Sequence, residues 1–185
     1  MKVKGSVVLS VLKFVKNQSA SDYENWLNSL PESSKEIYRN TILVSEWYPL
    51  DEGVVEPTRL IGKMFFNGDI LRAAHMSGVQ SADDALSGIY KVFVMVATPK
   101  FIMKRASKIM TSFYEPSTLV LGDERSKGVD IHITKFDDAN EIVEQRIGGW
   151  MEKALEICGC KNIQMDIPKS LARGDELTHY VINWE

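Results

Sequence analysis

The residues of this chain that are best suited to proton transfer or metal binding are its three histidines, His75, His132 and His179. His75 lies on a predicted helix, where it either reaches an internal cavity or, as is more common for a lone histidine, is half-exposed or bonded to a backbone carbonyl. His132 and His179 occupy strand positions opposite the apolar alternation, so both are predicted to face solvent. Asp130 lies two residues before His132 on the same strand face, which favours a surface contact over a metal site. We therefore predict no metal ligand.

The two cysteines, Cys158 and Cys160, are separated by one glycine. Such a pair supplies no disulfide framework and only half of a thiolate metal site. Cys158 also falls on the buried face of a predicted helix, where a cysteine behaves as a small hydrophobic residue. The sequence contains no nucleophile elbow, phosphate-binding loop, dinucleotide fingerprint or zinc-protease motif. We expect neither an enzyme nor a cofactor, and we expect a reducing compartment.

Aromatic side chains are the remaining candidates for a binding site. Tyr90 and Phe93 belong to a predicted helix over 89–96 that is apolar nearly all round, Tyr114 follows the last predicted helix of the first half, and Trp150 lies on the C-terminal helix. Aromatic residues usually fill a core, and their second use is to wall a pocket. Together with His75, these four are our candidate ligand-binding residues.

A chain of 185 residues that is 44% hydrophobic and 25% charged falls within the range of one compact domain with its own core. The net charge of −3 and the lack of a basic run interleaved with aromatic residues argue against a nucleic-acid partner. No apolar run approaches the roughly 20 residues that a membrane span requires. The basic N-terminus leads into an interrupted apolar pattern that fits an amphipathic helix better than a signal peptide. We expect one soluble, cytoplasmic domain over 1–185.

Apolar residues recur at three-to-four-residue spacing through most of residues 1–113, which predicts a helical layer. The predicted helices cover 5–18, the region around Trp26, 33–40, 51–66, a stretch beginning at residue 70, 89–96 and 99–113. Pro57 would break its helix unless it lies in the first turn. Asn67-Gly68-Asp69 predicts a break followed by a cap, and 81–84 predicts another helix start.

From residue 114 onward the period changes from 3.6 to 2. Strands are predicted over 118–121 and 129–133, with a turn through 123–128 between them. A second pair follows the C-terminal helix: one strand ends at Pro168, Gly174-Asp175 makes a tight reversal, and Tyr180–Trp184 forms the partner strand. The predicted class is α+β, with the helical layer of 1–113 followed by a four-stranded antiparallel sheet in β-β-α-β-β order over 114–185.

The helix between the two strand pairs is predicted over 142–158, with Gly159 as a left-handed C-cap. Its apolar residues mark one buried side, and its charged residues, Glu144 and Arg146 among them, are predicted to form a wet side. Two consecutive glycines, Gly148 and Gly149, favour the close approach of another backbone.

This order of elements, together with several short segments, resembles a bacterial family that is found as many paralogues in myxobacteria and is related to the 4-vinyl-reductase-type small-ligand domain. The segments are Trp47-Tyr48-Pro49, Asn67-Gly68-Asp69, Ser87-Gly88-Ile89-Tyr90, Gly148-Gly149-Trp150, Ala154-Leu155-Glu156, Ala172-Arg173-Gly174-Asp175 and Tyr180-Val181-Ile182-Asn183-Trp184. The likeness covers nearly the whole chain. The wider superfamily shares the fold of the H-NOX haem domain and of the TRAPP vesicle-tethering subunits, so the resemblance implies that fold.

In H-NOX domains the helix before the first hairpin supplies a histidine to the haem iron, and a Tyr-x-Ser-x-Arg motif at the end of the second strand holds the propionates. The matching helix here, Pro99–Phe113, contains no histidine, and the matching strand end reads His132-Ile133-Thr134-Lys135-Phe136. A phenyl ring cannot replace a guanidinium that pairs with carboxylates. We therefore expect no haem of the H-NOX kind.

In 4-vinyl-reductase-type domains a cysteine often lies four residues before the Gly-Asp pair, and another lies three residues after its aspartate. The residues at those positions are Ser170 and Thr178. Because hydroxyls are poor ligands for soft metals, the cysteine chemistry of those relatives does not carry over.

Two hypotheses of different kinds remain. The first is a non-enzymatic sensory or regulatory domain that holds a small apolar ligand between the helices of 89–96 and 99–113 and the sheet. The alternative is a protein-interaction module, either a homodimer or the partner of a signalling protein, whose core is filled. An unfilled interior would favour the first, and a continuous apolar surface patch would favour the second.

Overall fold

A computed structural model describes residues 1–86 and 97–185. The predicted central helix over 89–96, with Tyr90 and Phe93, lies outside the described residues. Helices dominate the described part up to Phe113, and strands dominate the part after it. The predicted α+β class is therefore confirmed.

The first three helices are α1 (Gly5–Gln18), α2 (Tyr23–Ser29) and α3 (Glu32–Arg39). The buried face of α1 follows the predicted period and consists of Val7, Val8, Val11, Phe14 and Val15. The α2 residue Trp26 is fully buried and meets the ring of Tyr38 edge-on, with 5.1 Å between the ring centroids. These contacts fix the first three helices on one side of the core.

A π-helical turn, Asp51–Val55, leads directly into α4 (Glu56–Phe65), and Pro57 occupies the first turn of that helix. Proline is tolerated there because the amide it lacks would have no helical acceptor. Asp69 then caps α5 (Ile70–Ala85), since its carboxylate accepts the backbone amide of Arg72 at 3.0 Å. The predicted helix start at 81–84 is wrong, because α5 continues through these residues without a break. The packing of this 16-residue helix, with Ala82 in the core, overrides the local preference of residues 81–84 for a helix start.

Helix α6 (Pro99–Phe113) has the predicted bounds. Pro99 stands in its first turn, and the hydroxyl of Thr98 accepts the backbone amide of Phe101 at 3.2 Å. Among the helices of the described residues, none combines the length and the apolar character that crossing a membrane requires.

Three short strands form a small sheet that the sequence did not predict. They are β1 (Lys2–Lys4), β2 (Trp47–Pro49) and β3 (Tyr114–Glu115), and β1 lies antiparallel between the other two. This sheet brings together the N-terminus, the segment around Trp47 and the end of α6. The sequence shows no alternation of apolar and polar residues for these strands, because each is only two or three residues long.

The main sheet is antiparallel with the order β4-β5-β7-β6, where β4 is Ser117–Arg125, β5 is Gly128–Phe136, β6 is Gln164–Lys169 and β7 is Thr178–Asn183. The turn predicted through 123–128 is present but shorter, since β4 continues through a bulge to Arg125 and the chain reverses at residues 126 and 127. Pro168 also lies within β6 instead of ending it. Proline fits there because β6 is an edge strand with an irregular register at this point.

Helix α7 (Glu141–Ile157) lies between the main sheet and α5. A Cβ atom on Gly149 would overlap the carbonyl oxygen of His75, and one on Gly78 would overlap the carbonyl oxygen of Arg146. The two backbones therefore touch, which is the close approach that Gly148-Gly149 predicted. Gly159 adopts a positive φ of 91°, as its predicted C-cap role requires.

The prediction that the charged residues of α7 face solvent is wrong for two of them. Arg146 is only 2% exposed and Glu144 only 5% exposed. Both are buried because α7 is covered by α5 on one side and by the sheet on the other. Their charged groups are satisfied inside the protein by partners that come from distant parts of the chain.

Candidate functional site

A cavity of about 250 Å³ opens between α1, α5, α6 and α7. Its walls are mainly apolar and consist of Val7, Leu9, Val44, Ala85, Ile109, Met110, Phe113, Tyr114, Leu119, Ile147, Trp150 and Met151. Six polar or charged residues complete the lining, namely Ser6, Ser10, Lys13, Ser81, Asp84 and Arg146. The volume equals the space of about eight liquid waters, so the cavity suits a molecule of about ten non-hydrogen atoms.

Arg146 is the buried cation of this cavity. Its Nη1 donates to the hydroxyl of Ser77 on α5, and its Nη2 donates to the hydroxyl of Ser10 on α1, both at 2.6 Å. Each hydroxyl in turn donates to a carbonyl three residues earlier, Val7 at 2.7 Å and Ala74 at 2.8 Å. The serine hydrogens are thereby used on the backbone, and oxygen lone pairs face the guanidinium. Arg146 ties three helices together through neutral acceptors.

Within residues 1–86 and 97–185, no carboxylate forms an ion pair with Arg146. Residues 87–96 contain no Asp or Glu. Asp84 lines the same cavity and lies 3.7 Å from the ammonium group of Lys13. An arginine stays charged in proteins, and a buried charge without a counter-charge is costly. The positive charge of Arg146 is thus available to an anion inside the cavity.

Tyr114 is 6% exposed and adjoins Arg146. Burial raises the pKa of its hydroxyl, while the positive charge of Arg146 lowers it by less. The phenol therefore remains protonated at neutral pH. It gives the cavity a second polar group close to the guanidinium.

The structure separates the five predicted ligand-binding residues into three groups. Tyr114 and Trp150 line the cavity. Tyr90 and Phe93 lie outside the described residues. His75 is half-buried and is absent from the cavity lining; its Nε2 lies 3.3 Å from a carboxylate oxygen of Glu152 on α7.

Sequence reasoning missed Arg146, Ser10 and Ser77. The helical period of α7 placed Arg146 on the polar side. Ser10 was interpreted as an interruption of an apolar run, and nothing was predicted for Ser77. A partial signal was available, because Ser10 and Ser77 both lie among small or apolar residues on a buried helical stripe. Only the packing of α1, α5 and α7 shows that the two hydroxyls converge on one guanidinium.

Glu144 occupies the opposite side of α7 and has its own buried partners. Its carboxylate accepts hydrogen bonds from the hydroxyls of Ser170, at 2.6 Å, and Thr178. The backbone amide of Ala172 lies 3.4 Å from the same group. Ser170 and Thr178 are the two positions that the sequence resemblance matched to the cysteines of 4-vinyl-reductase-type domains. Here they anchor the connection between β6 and β7 to α7, which is a structural role.

The cysteines do not form a reactive pair in this structure. Both are free thiols; Cys160 is 6% exposed and Cys158 is half-buried. Burial, followed by the neighbouring Cys160, raises the pKa of Cys158 to about 11. A thiol with so high a pKa is a weak nucleophile at neutral pH. The prediction that Cys158 lies on the buried face of the helix is only partly right, because Cys158 is half-buried and follows the last residue of α7.

On the outer face of the sheet, His179 and Asp130 form a close pair, with 3.0 Å between Nε2 and Oδ2. The guanidinium of Arg125 lies 2.7 Å from the other carboxylate oxygen. Burial alone would raise the pKa of Asp130, but the hydrogen bonds and charges of Arg125 and His179 hold it below its usual value. The imidazole of His132 is 4.6 Å from that of His179, centroid to centroid. His132 and His179 are half-buried, so the prediction that both face solvent is only partly right.

No protein-family model and no curated protein matches the sequence. Solved structures do match over almost the full length. An H-NOX protein from S. oneidensis in the Fe(II)NO ligation state has a TM-score of 0.74 at 12% identity and covers 98% of this chain and 99% of its own. The Fe(II) unliganded H-NOX protein from K. algicida has a TM-score of 0.73 at 11% identity, with coverages of 98% and 96%. A mutant of T. tengcongensis H-NOX has a TM-score of 0.67 at 10% identity, with coverages of 98% and 97%.

This chain has the H-NOX fold. The identities are too low to transfer a ligand or an activity, so the likeness concerns architecture alone. The relation to the 4-vinyl-reductase-type family stays a prediction.

Haem iron is held in proteins by a histidine, cysteine, methionine or tyrosine side chain. Among the lining residues that the structure describes there is no histidine and no cysteine. Tyr114 is a poor iron ligand, because burial raises its pKa and disfavours the phenolate that would bind the metal. Helix α6 contributes Ile109, Met110 and Phe113 to the cavity. These residues do not supply the proximal imidazole of an H-NOX haem.

Proposed function

We propose that this protein is a non-enzymatic sensory or regulatory domain that binds a small, mainly apolar carboxylic acid in the cavity and does not hold an H-NOX-type haem. The observation that carries the proposal is the buried guanidinium of Arg146 on the wall of an apolar cavity, without a carboxylate partner in the described part of the chain. The apolar wall supplies affinity for a hydrocarbon body. The guanidinium supplies a charge-assisted hydrogen bond to one anionic end.

The size of the cavity limits the ligand. About 250 Å³ lies below the range of about 300–1,000 Å³ that holds drug-sized ligands. A porphyrin macrocycle alone has 24 non-hydrogen atoms, whereas an eight-carbon acid has ten. Octanoate is therefore a suitable probe, and octan-1-ol is its uncharged match.

The position of Arg146 gives the sensory part of the proposal a physical basis. Its two hydrogen bonds connect α7 to α1 and to α5. A carboxylate that engages the guanidinium competes with the serine hydroxyls for its N–H groups. Binding would thus alter the bonds between three helices, which is a change that a partner protein can detect.

The test is isothermal titration of the full chain with octanoate and with octan-1-ol, in the wild type and in the Arg146→Met variant. We expect octanoate to bind the wild type with a stoichiometry of one. A hydrogen bond to a charged group contributes about 1.5–3 kcal/mol, so octan-1-ol should bind at least about tenfold more weakly. In Arg146→Met the two probes should bind alike, and the failure of both probes to bind the wild type would refute the proposal.

A second candidate is the interaction module, with Leu43 and Val44 at its centre. These neighbouring residues are 53% and 54% exposed. Val44 also lines the cavity, so a partner bound there would cover its edge. Light scattering of the wild type and of the double variant Leu43→Ser/Val44→Ser tests this candidate. A dimer that the double variant abolishes would support this candidate. A monomeric wild type would contradict a homodimer.

A further inference from the structure

Two histidines and one aspartate meet on the face of the main sheet that lies opposite α7. Asp130 and His132 belong to β5 and share a face, because they are two residues apart. The register of β5 and β7 places His132 directly opposite His179. The alternate residues of the same strands, Ile131 and Tyr180, point into the core. This cluster is therefore independent of the cavity.

The three side chains already lie close to the geometry of a metal site. Their ligand atoms are all within 4.8 Å of one another. The two imidazole rings stand nearly perpendicular, at 80°, with 4.6 Å between centroids. Around a tetrahedral zinc ion with bonds of about 2.1 Å, neighbouring ligand atoms are separated by about 3.4 Å. Side-chain rotations would bring the ligand atoms closer, because the pairing of β5 with β7 already fixes the Cα positions.

His132 is the residue that an ordinary surface network leaves unexplained. Asp130 forms a hydrogen bond with His179 through Oδ2 and an ion pair with Arg125 through Oδ1. The ring nitrogens of His132, by contrast, form no hydrogen bond to any residue that the structure describes. Its ring packs edge-on against that of His179. A half-buried imidazole with unused nitrogen lone pairs, beside a carboxylate and a second imidazole, is a metal-ligand arrangement.

Gly122 on β4 packs closely against the imidazole of His132. A Cβ atom at this position would lie 2.9 Å from Cε1 and 3.2 Å from Nε2 of His132. Any larger residue would therefore press on the ring edge that carries this nitrogen. The absence of a side chain at Gly122 therefore allows the His132 ring to lie beside β4 in this position.

We propose that Asp130, His132 and His179 bind one divalent transition-metal ion of the zinc type, with water in the remaining position. Two imidazoles and one carboxylate are ligands that zinc commonly takes in three-ligand sites. Arg125 would stay on Oδ1 of Asp130 and orient the carboxylate, while Oδ2 turns to the metal. The ammonium group of Lys169, whose strand position is opposite His179, is held 3.0 Å from Glu176.

The experiment is a titration of the full chain with zinc chloride. Calorimetry measures the binding, and imidazole ¹H–¹⁵N NMR spectra identify the rings that take part. The chain has three histidines, so His75→Gln is a matched control that removes an imidazole from another place. We expect one zinc ion per chain in the wild type and in His75→Gln. His132→Gln and His179→Gln should each weaken zinc binding by at least about tenfold, and the NMR signals of these two rings alone should shift.

Two results would overturn the proposal. One is a wild type whose imidazole spectra do not respond to an excess of zinc chloride. The other is stoichiometric zinc binding that persists in the double variant His132→Gln/His179→Gln and is lost in Cys158→Ser, which would place the ion on the thiols. Circular dichroism of every variant tests whether the fold is intact. We expect it to be intact, because these residues lie on the outer face of the sheet.

Discussion

Replacing Arg146 by methionine should change the stability of the ligand-free protein far less than removing its two hydroxyl partners. The long apolar side chain of methionine fills the space of the arginine stem. The Ser10 and Ser77 hydroxyls keep their backbone acceptors, Val7 and Ala74, so no buried donor is left without a partner. The variant loses two charge-assisted hydrogen bonds, and it also loses a buried charge that costs several kcal/mol to desolvate. We expect a net change in the free energy of unfolding within about 2 kcal/mol.

The double variant Ser10→Ala/Ser77→Ala retains the charge of Arg146 and removes both of its hydroxyl acceptors. A hydrogen bond to a charged group is worth about 1.5–3 kcal/mol, so the pair should cost about 3–6 kcal/mol. In the Arg146→Met background the same serine changes should cost only about 1 kcal/mol, because no charge remains to be satisfied. Methionine at 146 should therefore rescue the serine double variant.

Urea unfolding of the wild type, of Arg146→Met, of the serine double variant and of the triple variant measures all four free energies. The reasoning is wrong if Arg146→Met is destabilised more than the serine double variant. It is also wrong if the triple variant is less stable than the double variant. Either result would mean that the guanidinium stabilises the fold by itself and is not kept for a ligand.

Further predictions concern the helix contact and the thiols. Gly149→Ala should destabilise the protein by about 1–3 kcal/mol or more, because the new Cβ would overlap the backbone of α5. Gly148→Ala meets the flexible Met165 sulfur at 3.1 Å and should cost less, so equal thermal unfolding shifts for the two variants would contradict the packing. In Cys160→Ser, burial is the cause that still raises the pKa of Cys158 above 9.0. Alkylation of Cys158 at pH 8 should therefore be slower than that of an ordinary thiol, and it should continue to rise above pH 9. Alkylation that levels off near pH 9 would contradict this.

The sequence predicted those elements whose signals are local. Helix α6 begins and ends at the predicted residues because Pro99 suits a first turn and the period changes after Phe113. The cap at Asp69 and the left-handed Gly159 follow from single-residue conformational preferences. The α+β class followed from the change of period at residue 114.

Errors arose where distant contacts overrode a local signal. The charges of Glu144 and Arg146 predicted a wet face, yet partners from α1, α5 and the β6–β7 connection bury both. Strands β1 and β3 are too short to show a period, and they form only because their partners meet in space. The same reason hid the functional candidates, since both the Arg146 site and the meeting of His132 with His179 depend on helix packing and strand register.

Whether the cavity holds an acid in the native protein can be measured by native mass spectrometry of the chain purified from its own host. The mass under native conditions is compared with the mass after denaturation, and the released molecule is analysed. We predict a bound small organic acid with about ten non-hydrogen atoms, which the Arg146→Met variant fails to retain. A protein that is ligand-free in the wild type and that also does not take up octanoate would contradict the proposed function.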